Sequence, residues 1–176
     1  MNLLNLLYAY LVHPILFILP AYVANGSPVV LAKFVRKRHP IDFGRKFIDG
    51  RRVFGDSKSW EGLVFAVLCG TLTGYIENIL GITSIDLVEA FTMSMGAMLG
   101  DLLGSFIKRR LGVAPGEPAI PMDQLLFVTV ALLMLSAIGR LPLNLVQILV
   151  LLAITFLLHV GTNAIAYLAK LKPVPW

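Results

Sequence analysis

At 176 residues the chain is the size of one domain, and 57% of it is hydrophobic with a mean hydropathy of +0.82. That composition excludes an ordinary water-soluble domain, and the single cysteine, Cys69, excludes a disulfide framework within the chain. The net charge of +5 would suit nucleic acid, but so apolar a chain has no soluble face to offer it, so no nucleic-acid partner is expected.

In chain order, five apolar segments are long enough to cross a bilayer: residues 3–24, 60–80, 87–107, 122–138 and 145–168. The expected fold is an all-α integral membrane protein, a single membrane domain over residues 1–176. Segment one lacks a basic leading region and is interrupted by Pro14 and Pro20, so it does not read as a cleavable signal. The loop that follows, residues 25–59, holds nine of the 15 Lys and Arg. Segment two has small residues at every fourth position (Gly62, Ala66, Gly70, Gly74), and segment three repeats this with Gly96, Gly100 and Gly104. Such ribbons let backbones approach closely, so the two segments are expected to pack on each other, with a homodimer contact as the competing use of one ribbon.

Segment three ends in Lys108, Arg109 and Arg110, and a second loop, residues 108–121, leads to Asp123 at the start of segment four. Only Arg140 lies on the other side, whereas Lys170 and Lys172 follow segment five. The positive-inside rule then predicts an outer N-terminus, a cytoplasmic C-terminus and both long loops in the cytoplasm. Asp101, Gly104, Ser105 and Lys108 share one helical face, as do Thr155, His159, Thr162 and Asn163 in segment five. Both stripes are expected to line a polar cavity open to the cytoplasm.

The first loop reads "HPIDFGRKFIDGRRVFGDSKSWEG", interleaving Asp42, Asp49 and Asp56 with basic residues and glycines. Segments two and four would enter from this side with positive dipole ends forward, placing Asp56, Lys58 and Ser59 before one and Asp123 at the other. With Asp101, carboxylates from three helix ends could meet at one depth. Hard oxygen ligands suit Mg²⁺, while lysines, arginines and helix N-termini cradle phosphate, so the set suits a polyphosphate with its metal. Simpler readings stand beside this one: Asp123 as an N-cap, Asp101 as an ion-pair partner of Lys108, the basic loop as topology signal and attraction to anionic lipid.

Other signals carry less. "GRRVFGDS" has P-loop glycine spacing without its Lys and without a preceding strand. His13 reads as a core histidine, His159 as a hydrogen-bonding group rather than a catalyst, and Glu77 as meeting water or the interface. No Cys/His set has zinc spacing.

The motifs "GDLLGSFIKRRLG…PGE…PMDQ" and "PIDFGRKFIDGRRVFGDSKSWEG", with "YVANGSP" upstream, resemble the archaeal CDP-archaeol synthase family, relatives of the phosphatidate cytidylyltransferases. Ser105, Lys108, Arg109, Pro115, Gly116 and Asp123 keep the bacterial-type pattern. A His-Gly-Gly after Pro-Gly is missing, Gln124 replaces an Arg, and Ser57 stands where the archaeal pattern has Gly. The first two, departures from the bacterial-type pattern, favour the archaeal ether-lipid branch.

The resemblance implies transfer from CTP to 2,3-bis-geranylgeranyl glycerol phosphate with release of pyrophosphate, in the cell membrane and with Mg²⁺. It implies Asp101 and Asp123, with Asp56, as metal ligands for one or two ions. Lys58, Lys108 and Arg109 would hold phosphate, and Asp56, Ser59, Ser105 and Gly116 would serve the nucleotide side. Lys46, Arg51 and Arg52 are candidates for the lipid phosphate. Three alternatives remain at this point: a phosphatidate cytidylyltransferase, a lipid kinase that moves a γ-phosphate, and a small transporter using Asp101 and His159 as relays. No residue visibly reads the base.

Overall fold

The computed structural model describes residues 2–168 as five helices joined by loops. Lys170 and Lys172 lie outside the described residues. Helix α1 (Leu3–Phe34) starts on Asn2, whose side chain accepts from the Asn5 amide at 2.9 Å, and contains a π-helical turn over Tyr8–Val12. It is followed by α2 (Trp60–Ile79), α3 (Leu87–Arg110), α4 (Met122–Ala137) and α5 (Leu145–Leu168). Helices α1, α2, α3 and α5 are long and apolar enough to cross a membrane, and α4 is a shorter apolar helix of 16 residues.

The first helix corrects the expected boundary. It continues ten residues beyond Ala24, through "NGSP", so the loop begins after Phe34. Pro28 lacks the N–H that Ala24 O would accept four residues back, and the Ser27 hydroxyl donates to that carbonyl instead at 3.2 Å. A sequence that reads as a turn thus stays helical because a side chain replaces the missing donor.

The small-residue ribbons form close contacts: that of α2 packs on α3, as expected, and also on α1, whereas that of α3 has a different partner. On α2, a Cβ at Gly74 would lie 2.5 Å from Ala90 of α3 and 3.2 Å from Pro20 of α1. One at Gly70 would strike Ser94 and the Pro20 carbonyl, and one at Gly62 would meet Ser59 and Pro28. The ribbon of α3 faces α4, not α2: Gly96 abuts Ala131, and Gly100 abuts Leu126 and Phe127. The resulting core of Ile18, Ala21, Ala66, Met93, Ala97, Val128 and Ala131 is sealed by small residues.

α5 is held more sparsely. The Tyr22 hydroxyl and Thr155 Oγ1 lie 2.5 Å apart, and Thr155 also donates to Leu151 O at 2.7 Å. At the end remote from the long loops, Asp86 and Glu89 form a reciprocal capping box at 2.8 Å each, and Asp86 also pairs with Arg140. This fastens the start of α3 to the α4–α5 connection. Glu77 departs from expectation: it is 4% exposed, and neither carboxylate oxygen has a hydrogen-bond partner among the described residues.

Candidate active site

A cavity of about 1000 Å³ lies where the loop between α1 and α2 meets the connection between α3 and α4. Two ion pairs stand in its wall. Lys58, just before the Ser59 cap of α2, donates to both oxygens of Asp101 on α3 at 2.6 and 2.8 Å. Lys108, two turns further along α3, donates to Asp123 Oδ2 at 2.8 Å, and the Ala119 amide donates to the same oxygen at 2.9 Å. Each carboxylate is about 29% exposed, open to the cavity rather than sealed in the core.

These pairings replace both simpler readings. The partner of Asp101 is Lys58, not Lys108. Asp123 lies in the first turn of α4, where Pro121 is the N-cap residue, and ties that turn to α3. Asp56 lines the same cavity, but its side chain is 82% exposed and pairs with Arg52 at 2.7 Å. No group of three acidic, His or Cys side chains suited to a metal converges among the described residues. Asp101 and Asp123 are the two half-buried carboxylates of the cavity, and Mg²⁺ commonly takes one or two carboxylates and completes its shell with waters and phosphate oxygens.

Other expected site residues fall into separate roles. Ser105 lines the cavity, and its hydroxyl has no partner among the described residues. Ser59 is 4% exposed and its oxygen accepts from the Gly62 amide at 3.2 Å, so it serves as a helix cap. Arg109 reaches Ala114 O at 3.3 Å, and Gly116 supplies the φ of +87° that closes the turn. Among the described residues, α5 contributes His159 to the cavity, its ring centroid 6.4 Å from that of Phe127. Thr162 is exposed and donates to its own helix, which removes it from the expected stripe.

The first long loop is a folded hairpin with a centre that sequence reading passed over. Asp42 is 6% exposed and accepts from Arg52 Nε and Nη2, and from the amides of Gly44, Phe54 and Gly55, at 2.7 to 3.2 Å. Burial alone would raise its pKa, but the Arg52 guanidinium and the three amides outweigh burial and hold the carboxyl well below the usual carboxylate range. A depressed pKa gives stability that is complete above the unfolded value and is lost as pH falls through the folded one. Acidification below about pH 4 is therefore expected to loosen this loop progressively, and Asp42→Asn should reduce that acid sensitivity while destabilising the loop at neutral pH. Thermal midpoints of both proteins between acid and neutral pH check this.

The hairpin is also fastened to α3. Arg51 Nη1 donates to the carbonyls of Arg109 and Arg110 at 3.2 and 2.8 Å, neutralising the C-terminal end of that helix. In return Arg110 Nη2 donates to Arg52 O at 2.5 Å, and its guanidinium lies 4.8 and 4.9 Å from the rings of Phe47 and Phe106. Arg51 and Arg52, expected at a lipid phosphate, thus have structural engagements, while Lys46 lines the cavity without an ion-pair partner among the described residues.

Along most of its length the chain is similar to known proteins. A family model described as CarS-like CDP-archaeol synthase matches residues 4–176. A CDP-archaeol synthase of Sulfurisphaera tokodaii is 49% identical over 168 residues, covering 95% of this chain and 97% of the relative. One from Pyrobaculum aerophilum is 48% identical, covering 92% and 96%, and one from Pyrococcus furiosus is 45% identical, covering 93% and 99%. A solved structure described as an intramembrane enzyme for archaeal membrane lipids biosynthesis superposes with a TM-score of 0.75 at 37% identity, covering 85% of this chain and 91% of that one.

Proposed function

The chain belongs to the CarS-like CDP-archaeol synthase family, and from that premise we propose that it joins CTP to 2,3-bis-geranylgeranyl glycerol phosphate. It is a multi-pass membrane enzyme, a CTP-dependent cytidylyltransferase of lipid synthesis. An oxygen of the lipid phosphate monoester attacks the α-phosphorus of CTP. The bond from that phosphorus to the bridging oxygen breaks, and pyrophosphate leaves with its electrons.

The nucleophile is already anionic, so no base is needed, and the demand on the protein is alignment and charge neutralisation. The observation that carries the reading is the placing of Lys58–Asp101 and Lys108–Asp123 in the wall of one cavity. Asp101 and Asp123 would hold Mg²⁺, which when bound neutralises phosphate charge and steadies the leaving group. Lys58, Lys108 and Arg109 contact the nucleotide phosphates, Asp56 lies at the rim, and Ser105 offers a hydroxyl from the floor. The clustering of Lys and Arg at one end of the bundle supports a cavity facing the cytoplasm, where CTP is dissolved, with α4 as a fifth crossing.

Purified protein in detergent, supplied with α-labelled CTP, the lipid phosphate and Mg²⁺, should place label in lipid and release one pyrophosphate per transfer. Chelation should stop turnover and Mg²⁺ should restore it. Release of a nucleoside diphosphate with γ-label in the lipid would identify a kinase instead, and no transfer to any glycerophospholipid acceptor would overturn the reading.

A further inference from the structure

Among the described residues the cavity is lined by seven Lys or Arg against three Asp, and its cations differ in how far they are already neutralised. Lys58, Lys108 and Arg52 have carboxylate partners, Arg51 donates to the Arg110 carbonyl at the end of α3, and Arg109 donates to Ala114 O. Arg38 and Lys46 line the cavity too, yet neither has an ion pair or side-chain hydrogen bond among the described residues.

Their backbones, in contrast, are pinned. The residue after Arg38 is fixed to the start of α2: the His39 amide donates to Glu61 Oε2 at 2.9 Å, the His39 ring lies 2.5 Å from Glu61 Oε1, and Trp60 N donates to His39 O at 3.0 Å. Lys46 bridges Arg52, whose guanidinium is held by Asp42. Arg38 and Lys46 are thus both cavity cations on fixed backbones with heads not already paired among the described residues, which is what a preorganised anion site requires.

Resting on the cytidylyltransferase reading, we propose that Arg38 and Lys46 bind the phosphate of the acceptor lipid. The two anionic substrates make different demands. A triphosphate that arrives with its metal is compatible with the carboxylates beside Lys58 and Lys108. A phosphate monoester without a metal is repelled by them and needs cations with no acidic neighbour. The acceptor is also an amphiphile, and the α1 side of the cavity suits one. Val29 lines the cavity and is 67% exposed, while Phe34, four residues before Arg38, is 80% exposed. Exposed apolar side chains of α1 thus reach the cavity lining at Val29. The lipid chains follow α1, and the phosphate stops at the guanidinium.

The test uses full-length protein in mixed micelles, with the KM for each substrate measured at saturation of the other. Arg38→Gln should raise the KM for the lipid phosphate about 10- to 100-fold, the worth of a charge-assisted contact, and leave the KM for CTP within about twofold. Arg38→Lys should recover part of the loss, and Lys46→Gln should act in the same direction. A rise in the KM for CTP, alone or equal to that for lipid, or no change in either, overturns the assignment. If Arg38→Gln turns over too slowly for kinetics, direct binding decides: CTP affinity kept with lipid-phosphate affinity lost supports it, and loss of both overturns it. Failure of the underlying reading would show separately, as absence of transfer by the wild-type protein.

Discussion

Asp101→Asn is expected to lower cytidylyl transfer by on the order of 10³-fold, the largest effect of any single side-chain change here. The substitution keeps the shape of the group and its reach to Lys58, but removes the negative charge that both Lys58 and a metal require. Lys58 then stands with no counter-charge in a wall it shares with Lys108 and Asp123. The defect should appear in kcat at saturating CTP and lipid, accompanied by a higher Mg²⁺ requirement. Asp101→Glu, which restores charge at a displaced position, should recover a small part of the rate. A purified Asp101→Asn enzyme retaining a tenth of wild-type turnover at ordinary Mg²⁺ would remove Asp101 from the metal site.

The second large effect falls on a residue with no side chain. A Cβ at Gly100 would lie 2.6 Å from Leu126 O and 2.7 Å from Phe127 Cα, both backbone atoms that cannot swing aside. Gly100→Val must push α3 and α4 apart, and overpacking of this kind costs about 1–3 kcal/mol or more. The displacement would also reach the chemistry, because Asp101 is the next residue and Asp123 lies three before Leu126. Gly100→Val should therefore lower the thermal midpoint and the activity together. Gly104→Ala, whose Cβ would meet Leu126 at an ordinary 3.5 Å, and Gly161→Ala, which meets nothing within 4 Å, should change neither greatly. An unshifted midpoint in Gly100→Val would contradict the packing described for α3 and α4.

How far the sequence carried this picture depends on the range of each interaction. Helical period and hydropathy are local, and they placed all five helices and the inward face of Asp101. The four-residue glycine spacing marked close packing on α3, but a ribbon carries no label for its partner, and α4 rather than α2 takes it. The end of α1 was hidden because Asn25, Gly26 and Pro28 are turn residues by local preference, overridden by one hydroxyl-to-carbonyl bond. Charge partners were the least legible. Lys58 and Asp101 are 43 positions apart, and nothing in their local sequence favours that pair over Asp101 with Lys108, its neighbour on the same helical face. Asp42 was visible as one acid among three in a basic loop. Its five hydrogen bonds depend on a fold that composition does not encode.

The reciprocal fastening of Arg51 and Arg110 has a mechanical meaning. Lys58 sits on a loop and Asp101 on a helix, two kinds of support that ordinarily fluctuate with different amplitudes. Because the hairpin grips the end of α3 and α3 grips the hairpin, the two are braced into one truss. A displacement of the hairpin is transmitted to the helix instead of being taken up between them. The spacing of Lys58 and Asp101 is thus protected in a way that the stiffness of either support alone would not provide.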